Sequence, residues 1–369
     1  MLSETQLNKL PNDIVKIAQQ FEDEQLSEAI SIVNKYIKDM EEKGTFDKSA
    51  FYEEIARFNI KYKKSNRKVV KDLVKAGVAT LIAAKTLSDK EDEKKYKENN
   101  KKLNTTGTNK ILNRQAKDYS KYIKETFKTT GFQDVKGAAE PRKVLLRVVD
   151  RYSNSVINGD ITYQEATKRI TKEIAGNGIK CIEYKSGVFR NVDVVARQSV
   201  LSYAKQLSEQ CAIKNGLNSG VTIFEFTAHA NARPTHQVWQ GKRFDLQGIE
   251  YPTLKQLTNG EENDYGCQHT YFPVLNKSDR YMYTSKELAN INTSSFMYNG
   301  KAYNGYEAKE TQRRYEREIR ALKRQKNSLE NTEIETKDIS YKIRKKTKEY
   351  NSFSEAAGIS PKPNRLTVY

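Results

Sequence analysis

The chain has 369 residues with a hydrophobic fraction of 37% and a charged fraction of 30%, which disfavours one large single-core fold and favours elongated helical parts beside a modest core. A formal charge of +18 makes a polyanion or an acidic protein surface the natural partner, because Lys and Arg contacts to phosphate release counterions. Three widely spaced cysteines, Cys181, Cys211 and Cys267, imply thiols rather than a disulfide framework, and neither a signal peptide nor an apolar run long enough for stable membrane insertion is evident.

Taken in chain order, Leu26, Ile30, Val33, Ile37 and Met40 alternate steps of four and three, which predicts a helix that ends at Gly44. Phe51, Ile55 and Phe58 offer a second stripe and Val69, Leu73 and Leu81 a third, so residues 1–87 read as a small antiparallel helical bundle. Residues 88–138 carry dense charge and few aliphatic side chains, and read as a charged linker.

Residues 139–290 read as an α+β domain. Pro141 opens a helix with Leu145, Val149, Tyr152 and Val156 inward, which stops at Asn158 and Gly159. Thr162 and Glu165 predict a capping box for the second arm of a helical hairpin, which buries Ala166, Ile170 and Ile174. The strand "IKCIEY" and the turn "KSG" come next, before a helix with Val200, Ala204, Leu207 and Cys211 on one face and Asn215-Gly216 as its stop. "VTIFEF", "GKRFDL" and "HTYFPV" predict a short antiparallel sheet.

In residues 291–369, Ala308, Gln312, Tyr315, Ile319, Leu322, Lys326 and Leu329 form the seam of a long basic helix, ahead of a second basic segment and a tail with two prolines. The middle domain closes its stripes and caps before Lys301. The predicted class is mainly α with a small α+β middle domain.

Two of the three histidines and the single tryptophan fall within residues 228–244, and the third histidine follows in "YGCQHTYFPV". His229, His236, Cys267 and His269 are a chemically valid zinc set, although their spacing matches no common finger or knuckle. The competing reading is a hydrogen-bonded clasp that caps loop carbonyls. A thiol and base pair from Cys267 with His236 or His269, oriented by Asp245 or Asp264, is a third arrangement, and no sequence feature brings its members together.

"ARPTHQVWQGKRF", "YPTL", "YGCQHTYFPV" and "YEAKETQRRYEREIRALKR" resemble, in order and spacing, the phage minor capsid protein 2 family, which is similar to the Mu F-like head morphogenesis proteins. The motifs cover about residues 140–330. The family's Arg-Pro-(Ser/Thr)-His falls on Arg233, Pro234, Thr235 and His236, and its Trp-Gln-Gly-Lys on Trp239, Gln240, Gly241 and Lys242. Its Asn-Cys-Arg-His corresponds to Gly266, Cys267, Gln268 and His269, so Asn and Arg are replaced here while Cys and His are kept.

The resemblance implies a structural, non-enzymatic head protein inside the virion near the portal, made in the host cytoplasm, with portal, other capsid proteins and packaged double-stranded DNA as partners. It implies a part in head assembly and in DNA packaging or ejection. No cofactor is expected beyond the zinc alternative. The basic residues Arg313, Arg314, Arg317, Arg320, Lys323, Arg324, Lys345 and Lys346 are the expected DNA or portal contacts, against the plainer reading of a solvated helix face. The other functional class is a virion-packaged metal- or thiol-dependent hydrolase or toxin-like effector.

Overall fold

The computed structural model describes residues 2, 4–134, 137–182, 187–264 and 266–369. Helix α1 (Glu4–Lys9) precedes α2 (Asn12–Lys43), in which Leu26, Ile30, Val33, Ile37 and Met40 are fully buried as their spacing predicts. Gly44 ends α2 at φ 69°, and its N–H donates to the Met40 carbonyl at 3.1 Å. Asp47 then caps α3 (Lys48–Glu98) by accepting from the Ala50 N–H at 2.9 Å.

The stripes that suggest two further helices lie on this one helix, about 75 Å long at 1.5 Å per residue. No proline interrupts it, and Gly77 serves as a close-approach point beneath the ring of Tyr119, where a side chain would collide. The stretch that its charge presents as a linker is largely helical too. At the end of α3, Asp92 accepts from Asn215 at 3.1 Å and Ser88 meets Ser208 at 3.0 Å, both partners lying on α7 (Val192–Asn218). Next comes α4 (Thr108–Phe127), with Tyr119, Ile123 and Phe127 buried.

Strands β1 (Gly131–Asp134) and β2 (Gly137–Ala139) lead into α5 (Pro141–Ile157) and α6 (Tyr163–Ile174). Thr162 caps α6 as predicted, but Glu165 turns its carboxylate to Arg169 at 2.8 Å instead of closing the box. With β3 (Ile179–Ile182) and β4 (Phe189–Asn191) the first two strands form an antiparallel sheet in the order β2-β1-β3-β4. The predicted turn at 185–187 falls mostly outside the described residues. Helix α7 runs past Asn215-Gly216 to Asn218, and Gly216 is a close-approach point where a side chain would meet the Phe224 ring.

Strand β5 (Ile223–Phe226) is central in a second antiparallel sheet between β6 (Arg243–Asp245) and β7 (Tyr271–Pro273), as the three apolar runs predict. Between these strands lie the short helices α8 (Pro234–Gln237) and α9 (Leu254–Thr258). After the sheet come α10 (Ser285–Asn290), the hairpin β8 (Ser295–Tyr298) and β9 (Lys301–Asn304), α11 (Gly305–Leu329) and α12 (Lys337–Ala356).

The protein is mainly α with small antiparallel sheets. One apolar core runs from Leu2 to Ile339 and takes in both the N-terminal helices and the helical hairpin. Leu329, Ile334 and Ile339 belong to it, so the chain beyond Lys301 is built into the fold rather than appended. Among the described residues no helix is long and apolar enough to cross a membrane.

Candidate functional site

The second sheet is too small to make a thick core, and a single aromatic cluster of Phe224, Phe226, Trp239, Phe244 and Tyr271 fills it. Pro234 starts α8 at its first turn, which turns His236 inward until it is only 2% exposed. Trp239 packs against Phe226 at 4.6 Å and meets the His269 ring edge-on at 4.5 Å. Gly241 turns the chain at φ 65°, where a side chain would also run into Leu288. Lys242 is exposed.

Gln240 is the hub, and the direction of its hydrogen bonds follows from a backbone anchor. The Ala232 N–H donates to Asn292 Oδ1 at 3.2 Å, so the Asn292 amide nitrogen faces Gln240 Oε1, to which it donates at 2.9 Å. Gln240 Nε2 must then donate, and it does so to the His229 carbonyl at 2.9 Å and to His269 Nε2 at 2.8 Å. His269 Nε2 is therefore the bare acceptor, which leaves the ring proton on Nδ1, 3.6 Å from the Cys267 sulfur.

This polarity makes His269 a donor to Cys267, not a base for it. Burial first, then the neighbouring His229 and His236, pull its pKa down to about 2. Burial, followed by the Arg233 charge, also lowers His236, and burial pushes the Cys267 thiol up. A neutral base that cannot take the proton and a thiol that keeps it are poor material for nucleophilic catalysis.

His229 stacks on His269 with ring centres 4.1 Å apart. His236, Cys267 and His269 bring donor atoms within 4.8 Å of one another, as do His236, Glu261 and Asp264. Arg233 donates to Asp264 at 2.7 Å, and the cluster opens onto a small polar recess that Tyr306, Lys309 and Arg313 of α11 also line. Asp245 serves elsewhere: its carboxylate accepts three loop N–H groups from Gln247, Ile249 and Glu250 at 3.0–3.1 Å. Glu261, in the single 3-10 turn Glu261–Asn263, and Asn292, in the turn after α10, have no signal in the sequence, because neither segment is long enough to show a period.

A family model for phage minor capsid protein 2 matches residues 2–355. The chain belongs to the phage minor capsid protein 2 family. No curated protein and no solved structure matches it. In this minor capsid protein the motif residues Arg233, Pro234, His236, Trp239, Gln240, Gly241, Cys267 and His269 thus come together in one knot that ties α8 to β7 and the loop before it. Gln240→Leu is expected to lower stability by about 2–4 kcal/mol, since it strips partners from His269 Nε2, the His229 carbonyl and the Asn292 amide together. An unchanged urea midpoint for that variant would remove the clasp.

The structure divides the basic residues of α11 and α12. Arg324 and Arg320 face inward: Arg324 donates to the carbonyls of Ala175 and Gly176 at 3.0 and 3.2 Å, and Arg320 lies 3.3 Å from Asp193. Neither is available to a partner. Arg313 is paired with Glu310 at 2.5 Å, and Lys346 with Glu318 and Glu349 at 3.1 and 2.9 Å. Lys323 is half-buried, Arg314 is exposed but 4.0 Å from Glu318, and Arg317 and Lys345 are exposed.

Two stronger basic faces lie elsewhere in the minor capsid protein. Arg57, Lys61, Lys64, Lys68, Lys71 and Lys75 on α3 repeat the four-three spacing on its solvent side, and all are exposed. Lys110, Arg114, Lys117, Lys121, Lys124 and Lys128 repeat it along α4, again all exposed. The signal was present in the sequence as a period of lysines rather than of apolar residues.

Proposed function

We propose that this chain is an internal structural protein of a tailed-phage head, seated at the portal vertex and in contact with packaged DNA through the outer faces of α3 and α4. Family membership supplies the structural role in the head; the interior position, the portal and the DNA are this reading. The observation that carries it is the pair of lysine stripes. Lys64, Lys68, Lys71 and Lys75, like Lys110, Lys117, Lys124 and Lys128, have no carboxylate partner among the described residues, so their charge is available to phosphate. Protease treatment of purified heads tests the position: the protein should be protected in intact heads and cut once they are opened. Equal digestion in both would sink the interior assignment, and failure to cross-link to the portal in intact heads would sink the vertex.

The second reading, a metal- or thiol-dependent hydrolase, draws on the Cys267 and His269 contact. The proton already on His269 Nδ1 argues against it. We expect the same background hydrolysis of peptide, ester and nucleic acid substrates by the wild type and by Cys267→Ser. Turnover lost in that variant with the fold intact would promote the hydrolase.

A further inference from the structure

We propose that His236, Glu261 and Asp264 form an open three-donor site for one divalent cation of the zinc class, with water completing its shell. His236 is where the inference begins. Its side chain is 2% exposed, and Nε2 is buried with no hydrogen-bond partner. A polar atom left bare inside a protein calls for an explanation.

The segment facing it supplies two carboxylates. In the 3-10 turn Glu261–Asn263 residues three apart eclipse one another, and the Asp264 N–H closes the turn on the Glu261 carbonyl at 3.0 Å, so Glu261 and Asp264 fall on one side. Glu262 between them is used elsewhere, where it accepts from the Thr258 hydroxyl at 2.6 Å. The Glu261 and Asp264 oxygens stand 3.6 and 3.7 Å from His236 Nε2, too far to accept a hydrogen bond. Ligands held at about 2.0–2.2 Å by one tetrahedral ion stand roughly 3.3–3.6 Å apart, close to both gaps. All three donor atoms lie within 4.8 Å of one another, and the exposed Glu261 side chain has room to close the remainder.

Cys267 and His269 stand outside this shell. They form a separate group with His236, and in it His269 Nε2 accepts from Gln240 while Nδ1 carries the proton. A neutral ring engaged at both nitrogens has no lone pair to give an ion. Arg233 takes the outer-shell place instead: it donates to Asp264 Oδ2 at 2.7 Å and so orients a carboxylate that still has lone pairs to offer. Two carboxylates match the charge of a dication, and the imidazole nitrogen favours zinc over magnesium and calcium, which take oxygen ligands. With His236 on α8 and both carboxylates on the facing segment, the ion would fasten one to the other.

Full-length protein, stripped with a chelator and titrated with ZnCl2 in excess MgCl2, should bind one zinc per chain by calorimetry, and saturation should raise its melting temperature. Glu261 and Asp264 are 39% and 42% exposed, so Glu261→Gln, Asp264→Asn and their combination leave the core untouched, as circular dichroism will verify. The combination should weaken zinc binding by more than the about 10- to 100-fold that loss of an outer-shell group costs, and its melting temperature should no longer respond to zinc. Cys267→Ser should bind zinc as the wild type does, which separates this site from the neighbouring group of Cys267 and His269. No stoichiometric binding by the wild type, undiminished affinity in the double variant, or loss of binding in Cys267→Ser would each overturn the site.

Discussion

Arg324→Met is expected to cost the fold about 3–5 kcal/mol, a large share of the about 5–15 kcal/mol that holds a typical protein together. Arg324 is 5% exposed and sits where three parts of the chain meet. Its Nε and Nη2 satisfy the carbonyls of Ala175 and Gly176 at the end of α6, and Nη1 lies 3.7 Å from Glu22 of α2. Glu22 in turn accepts the Ile179 N–H at 2.7 Å, so the guanidinium also steadies the start of β3.

Asp193, at the head of α7, completes the group. Burial pushes its carboxyl up, but Arg320 and Arg324 together hold it below the usual range, whereas burial leaves Glu22 raised. Methionine fills the volume of arginine and removes every one of these partners. Urea unfolding of wild type, Arg324→Met and the pair Arg324→Met with Glu22→Gln measures the effect. The pair should recover much of the loss, since glutamine keeps an acceptor for Ile179 without a buried charge to neutralise. A single variant within about 1 kcal/mol of wild type, or a double variant no better than the single, would count against the network as a structural keystone.

Much of the fold was legible because apolar period and caps act locally. The stripe from Leu26 to Met40, the cap at Thr162 and the three short strands around Phe224, Phe244 and Tyr271 stand where the residues place them. Composition was a poorer guide. Residues 88–98 looked like a linker because charge dominates them, yet a helix needs only a narrow inner face, which Ser88, Asp92 and Tyr96 supply at four-residue steps.

The C-terminal helix misled in the opposite direction. Arg320 and Arg324 share a run with exposed arginines, and only the position of Glu22 and Asp193, some 300 and 130 residues away in the chain, decides that they turn inward. Long-range pairing of this kind leaves no local mark. The motif residues gather as their shared resemblance implies, but the direction of the Gln240 hydrogen bonds depends on Asn292, which no pattern singled out.

Sequence-indifferent DNA binding, the partner proposed above, should follow the α3 and α4 stripes and not α11. Each stripe spans 18 residue steps, about 27 Å at helical rise, which matches the rise of about eight base pairs at 3.4 Å each. Affinity for a random duplex should fall log-linearly with salt, with a slope of about −0.9 for each phosphate contacted. Neutralising Lys64, Lys68, Lys71 and Lys75 to Gln, or Lys110, Lys117, Lys124 and Lys128 to Gln, removes four such contacts at most, and should flatten the slope by about 2–4. Neutralising Arg313, Arg314 and Arg317 should change it far less, because Glu310 and Glu318 already lie against two of them. Point changes are the right instrument here: truncation at residue 300 would remove Arg324, Leu329 and Ile339 from the interior and unfold what it was meant to test. If the α3 and α4 variants keep the wild-type slope, those faces do not touch DNA, and if the α11 variant alone flattens it, the contact lies on the C-terminal helix after all.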